Sequence, residues 1–251
     1  MKTKAESRAG TRKKKMLKSF DYSFNLVEDF LIATYGAAFA EVLNKEVRQE
    51  YELLIPQIPF IAGIAGTTLN TFLTVTAQEI AVYTVMKRHG ETAEEAWEIC
   101  HAALRLRLER YSRVKRWLLA RLMFSRVALR RMRKRAQSGK TRGFDDFEVR
   151  YLVGDGVEFD WGVDYLRCGN YKLVVDQGAE AFAPYVCMSD IALSDAMGWG
   201  LIRTGTLADG CEKCDFRFKK GAKTRISSMT PAVQATIEQI AGREASGEKW
   251  R

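Results

Sequence analysis

After Gly143 the apolar period of the chain changes from about 3.6 residues to two. No other feature constrains the fold as tightly, because a helical period cannot sit as a strand, nor the reverse. "FEVRYLV" (Phe147–Val153) alternates, "GDG" turns, and "VEFDWGVDYLR" (Val157–Arg167) alternates again, which reads as a β-hairpin. A second pair, "GLIRTGTL" and "KCDFRFK", is joined across "ADG". Between the pairs, "GNYKLVVDQGAEAFAPYVCMSDIALSDAM" reads as two short helices separated at Ala183-Pro184. The order is β-β-α-α-β-β, and strands joined as hairpins imply a four-stranded antiparallel sheet.

Before the switch the chain is helical. Residues 22–50 carry Val27, Phe30, Leu31, Tyr35, Phe39, Val42 and Leu43 near helical spacing, until Pro56 and Pro59. A second helix is expected over 67–88, ended at Gly90. Thr92 and Glu95 then form a capping box that opens a helix near Ala93. No glycine or proline follows until Gly139, and that length predicts a break within 93–137. Thr230-Pro231 starts a last helix, running to about Arg243. The expected class is α+β: an N-terminal helical layer packed on the four-stranded antiparallel sheet, with a C-terminal helix. Residues 1–20 are expected as a disordered basic tail. Residues 21–251 are expected as a single domain, with a helical part (21–140), a sheet part (144–220) and the last helix (230–245).

Charge is distributed in blocks. The chain carries +9 overall, but residues 1–18 carry +7 and residues 105–142 carry +14, which leaves −12 for the rest. The basic helical stretch has no accompanying nucleic-acid motif and few aromatics (Tyr111, Trp117, Phe124), so sequence-specific nucleic-acid binding is not expected. Its amphipathic face could instead meet an acidic partner or a lipid surface, but the expected role is a solvated helix that pairs within the chain with the acidic remainder. Leu53–Gln78 holds no charge for 26 residues, yet it contains two prolines, two glycines and five threonines. That composition is wrong for a bilayer span, so no transmembrane segment is expected. Five cysteines cannot all pair within one chain, and no apolar secretory segment follows the basic N-terminus. A cytoplasmic protein with reduced thiols is the expectation, and a homo-oligomer is allowed.

Three features can carry chemistry. Cys211-x-x-Cys214 is half of a zinc signature; Cys168 and Cys187 stand singly, so no metal and no cofactor are expected. Alternation points Cys214 inward with Phe216 and Phe218. Cys187 and Asp190, three apart after Pro184, share a helix face: the thiol could be activated at a helix N-terminus, or the carboxylate could activate water. Both choices stay open beside a purely structural one. Cys168, between a strand and a helix, suits an active-site rim. Arg203, on the strand face opposite Ile202 and Thr204, could grip a carboxylate through its planar fork. Asp215 and Arg217 are expected to pair across strands or toward solvent.

These residues also resemble a known family. "LRCGNY" and "APYVCMSDIALSDAMGWGLIRTGTLADGCEKCDFRF" resemble the C-terminal signature of the L-2-amino-thiazoline-4-carboxylic acid hydrolases, through Cys168, Cys187, Asp190, Arg203, Thr206, Gly210, Cys214, Asp215, Phe216, Arg217 and Phe218. "LIPQIPFIAG" followed by Asn70 is a weaker upstream likeness. Departures are Gly169 where the family has proline, Ala62-Gly63 in place of a glycine pair, and the extra Cys211. The hairpin also loosely resembles vinyl-reductase-type small-molecule-binding domains. The resemblance implies a hydrolase that opens a cyclic amidine to a carbamoyl-cysteine-type product. Cys187, Asp190 and Cys168 would then be catalytic. Arg203, Thr206 and Asn70 would bind a small substrate bearing a carboxylate. Alternatives are an enzyme of the same fold acting on another heterocycle, thioester or amide, and a binding module without turnover.

Overall fold

The computed structural model describes residues 4–227 and 229–245. The chain divides into two compact units, where the sequence reading expected one domain: Met1–Arg107 with Leu173–Phe182 and Gln239–Arg251, and Leu108–Lys172 with Ala183–Glu238.

The first unit is helical: α1 (Lys4–Tyr35), α2 (Ala37–Leu54), α3 (Gly63–Arg88) and α4 (Ala93–Glu109, leaving the unit at its end). The expected tail is helix from Lys4. Met16 and Phe20 are buried, Arg12 donates to the carbonyls of Ile58 and Pro59, and Lys13 pairs with Glu52 at 2.8 Å. The basic run hid this, because Met16 and Phe20 are the buried positions while Arg12 and Lys13 are held by other elements of the helical unit. The single helix expected over 22–50 is two. Gly36 sits at φ 82°, which no helix can continue through, and it separates α1 from α2. On α2 the residues Ala40, Leu43, Val47, Tyr51 and Leu54 are buried at helical spacing; Tyr51 stacks on Phe20 at 5.3 Å. The capping box is in place: Glu95 accepts from the Thr92 N–H at 2.8 Å, and Thr92 Oγ1 accepts from the Glu95 N–H at 3.2 Å.

The second unit holds the sheet. The basic stretch breaks as its length requires, into α5 (Arg113–Met123) and α6 (Arg126–Gln137). Each starts on a serine: Ser112 accepts from the Lys115 N–H and Ser125 from the Ala128 N–H. Then come β1 (Arg142–Phe144), β2 (Phe147–Val153), β3 (Trp161–Arg167), α7 (Gly169–Asp176), α8 (Ala183–Val186), α9 (Ser189–Met197), β4 (Leu201–Arg203), β5 (Cys214–Phe218), β6 (Arg225–Ile226) and α10 (Pro231–Ala245).

The unit boundary falls inside α7 and α10. The class is α+β as expected, but the sheet has six strands among the described residues, in the order β1-β2-β3-β5-β4-β6. Neighbours are antiparallel except β4 and β6, which run parallel, so the sheet is mixed. The expected four strands form its middle. The two edge strands are three and two residues long, too short for alternation to announce them.

One sheet face carries Trp161, Val163 and Tyr165 of β3 opposite Phe218, Phe216 and Cys214 of β5. Phe124, Val149, Trp161, Val163, Leu201 and Phe218 are its buried core, with Met123 of α5 and Leu129 and Met132 of α6 packed on it. Each large apolar side chain withdrawn from water there contributes roughly 1.5–3 kcal/mol. The other face is charged. Asp164, with no exposed surface, meets Arg150 at 3.0 Å, Lys213 at 2.8 Å and Arg217 at 2.8 Å.

Candidate active site

The site grows from the junction of β3, β4, β5 and α9. Asp190 and Ser194 are four apart on α9 and therefore share a face. Ser194 accepts the Leu201 N–H at 3.0 Å, which fastens α9 to the start of β4. Asp190, one turn earlier, then lands on Arg203 two residues along the strand. Asp190 Oδ2 accepts from Arg203 Nη1 at 2.7 Å, and the Cys187 carbonyl accepts from the same nitrogen at 2.9 Å.

Arg203 has no exposed surface. The sequence reading set it opposite the apolar face; β4 instead buries Leu201 and Arg203 together, and the guanidinium lies 5.6 Å over the Phe216 ring. Nη1 is satisfied, but Nε and Nη2 are buried with no partner among the described residues. An arginine offers its N–H groups in a rigid fork, and burying them unpaired costs roughly 1–3 kcal/mol. The open Nε–Nη2 edge is the one that grips a carboxylate with two parallel bonds. Asp190 keeps 34 % of its side chain exposed, yet burial of its carboxyl raises the pKa, opposed in part by Arg203.

The cysteines divide. Cys187 does not open the helix after Pro184. Pro184 lies inside the four-residue α8, and the break falls at Cys187, whose N–H bonds back to Ala183. Burial raises its thiol well above the ordinary range, with Arg203 opposing. The expected thiolate is therefore not favoured there.

Cys168 stands between β3 and α7 as expected. Burial raises its thiol too, opposed only in part by the backbone N–H groups of Tyr171 and Asn170. Gly169 behind it is forced: a Cβ there would lie 2.5 Å from the Phe147 ring, so the family's proline has no room.

Cys214 points inward as alternation requires. Its sulfur accepts from the Leu207 N–H at 3.2 Å, and burial pushes its thiol up to about 12. Cys211 is exposed in the turn. Among the described residues no three His, Cys, Asp or Glu side chains converge as metal ligands would.

Two expected binding residues are committed elsewhere. Thr206 is buried, but its hydroxyl donates to Asp209 Oδ2 at 2.7 Å and accepts the Asp209 N–H at 3.1 Å, fixing the turn before β5. Asn70 lies in the helical unit, where its amide clamps both the N–H and the C=O of Ile61 at 2.9 and 2.8 Å. Nor does Asp215 pair with Arg217: it accepts from the N–H groups of Thr204 and Gly205 and from the Thr204 hydroxyl.

Sequence reasoning missed Tyr165, which faces Cys214 across β3 and β5 and sits within electrostatic reach of Cys168 and Asp190. Its place three residues before Cys168 was the available signal. Surface depressions of about 450 and 350 Å³ lie in the helical unit beside Lys13 and Arg48 and beside Tyr83 and Arg88, and contain none of these residues.

No curated protein and no solved structure matches the chain. A family model described as L-2-amino-thiazoline-4-carboxylic acid hydrolase matches residues 71–218, a span that holds Cys168, Cys187, Asp190, Arg203 and Cys214 and covers more than half of the chain. The chain therefore belongs to the L-2-amino-thiazoline-4-carboxylic acid hydrolase family.

Proposed function

We propose that this protein hydrolyses a cyclic amidine bearing a carboxylate, such as L-2-amino-thiazoline-4-carboxylate. The observation that carries the reading is the buried Arg203 with its Nε–Nη2 edge open, beside a partly exposed Asp190 of raised pKa. The open edge receives the substrate carboxylate in a bidentate contact. Arg203 Nη1 holds Asp190 by one oxygen, and the other takes a proton from water. That water adds to the ring carbon between sulfur and nitrogen. Collapse breaks the ring C–N or C–S bond, with the proton delivered to the departing atom, and gives a carbamoyl-cysteine-type product. The Cys168 thiol, at the junction of β3 and α7, supplies a second reading, a covalent route.

Mass spectrometry of the thiazoline acid incubated with the purified protein tests the proposal. The expected product is heavier by one water and accumulates in large excess over protein. Tight binding without product points to the non-enzymatic module; neither binding nor product points to another heterocycle, thioester or amide, and either result overturns the proposal.

A further inference from the structure

Helix α5 is apolar on two sides. Its inner side sends Met123 into the sheet core. Its outer side shows Val114, Trp117, Leu118 and Leu122, exposed by 72, 59, 47 and 57 %. At about 100° per residue these four cover an arc of roughly 140°, a continuous stripe rather than scattered exposure. Arg113 and Lys115 border the stripe, and Arg121 lies in it with its guanidinium 5.2 Å over the Trp117 ring. On α6 the exposed side continues with Val127 and with Arg126, Arg130, Arg131, Arg133 and Lys134. Residues 110–144 hold thirteen Lys and Arg and no Asp or Glu.

We propose that α5 and α6 dock the protein on the surface of an anionic phospholipid bilayer, with Val114, Trp117, Leu118 and Leu122 entering the boundary between headgroups and acyl chains. An apolar stripe with Trp and Leu, bordered by cations that meet no carboxylate among the described residues, Lys115 resting 3.5 Å over the Tyr111 ring, matches both layers of that boundary. A nucleic acid would meet the cations but gain nothing from exposed valine and leucine. A second copy on the stripe would bring a like-charged, acid-free segment against it. The long basic stems reach past the apolar side chains to the lipid phosphates.

Vesicle flotation of the full chain tests this, with phosphatidylcholine alone and with a phosphatidylglycerol fraction of about a third. The protein is expected to float with the mixed vesicles and not with phosphatidylcholine, and to detach as salt rises. The triple variant Trp117→Ser, Leu118→Ser, Leu122→Ser is expected to bind at least tenfold more weakly with an unchanged circular-dichroism melt. The variant Arg113→Glu, Lys115→Glu is expected to lose the preference for anionic vesicles. Failure of the wild type to float with the mixed vesicles overturns the proposal. Undiminished flotation of the triple variant does the same. So does a wild-type dimer that this variant converts to monomer, or a stripe that takes an acidic protein but not vesicles.

Discussion

In the proposed reaction the chemistry turns on Arg203 and Asp190: one has two buried N–H groups with no partner among the described residues, the other a partly exposed carboxylate. Arg203→Lys keeps a charge but removes the planar edge. The expected effect is a rise in KM of about ten- to hundredfold, the value of a charge-assisted contact. The methyl ester of the substrate should be penalised in the wild type and hardly further in the variant; an equal penalty in both would sink the carboxylate contact. Because the Asp190 pKa is raised, the acid limb of kcat/KM should lie above the ordinary carboxylate range, with activity lost as pH falls through it.

Asp164 is the charge that no local pattern announced. Burial alone would raise its pKa, but Lys213, Arg150 and Arg217, from a loop and two strands, outweigh that and lower it. Its contribution to stability is therefore full above the unfolded carboxylate pKa and lost only as pH drops below it. Asp164→Ala should cost about 3 kcal/mol in urea unfolding at neutral pH.

Among the elements, those with long alternation or firm caps were readable. The strands around "FEVRYLV" and "CDFRF", the Thr92–Glu95 cap and the junction at Cys168 all follow from residues near one another in sequence. Elements decided by distant packing were not. The short β6 exists because Arg225 and Ile226 pair with Ile202 and Arg203. The helix around Pro184 ends at Val186, and a separate α9 begins at Ser189 and is tied to β4 through Ser194. Thr206 and Asn70 looked available because a sequence shows a hydroxyl or an amide but not the backbone that consumes it.

Gly169 tests how tightly the β3–α7 junction is built. Gly169→Ala sets a Cβ against the Phe147 ring and should cost about 1–3 kcal/mol through overpacking. Phe147→Leu should relieve part of that, so the double variant loses less than the two single losses added. Strict additivity would refute the contact.

At the scale of the whole molecule, pH couples to folding through the helical unit. His101 is partly buried against Trp97, with ring centres 4.8 Å apart, and burial of its ring, aided by Arg105, lowers its pKa to about 4. The unfolded chain, near 6.5, binds the proton first. Stability should be full above about pH 6.5 and fall as pH drops toward about 4, by roughly 3 kcal/mol for this group. His101→Gln should flatten that part of the urea-midpoint profile; an unchanged slope would place the titration elsewhere. The division into two compact units was not legible, because 173–182 joins the helical unit although it lies within the sheet sequence. Phe182 shows why: its ring stacks on Tyr83 of α3 at 4.7 Å, a contact between residues 99 apart that no local period encodes.

The measurement that bears most directly on the account is the rate of water addition to L-2-amino-thiazoline-4-carboxylate by the wild type and by Asp190→Asn, read by mass spectrometry. Catalytic turnover in the wild type, reduced about 10²- to 10⁴-fold in the variant with binding retained, is the result expected of a general base. Equal turnover in both would contradict the role of Asp190 and leave the Cys168 thiol to carry the reaction.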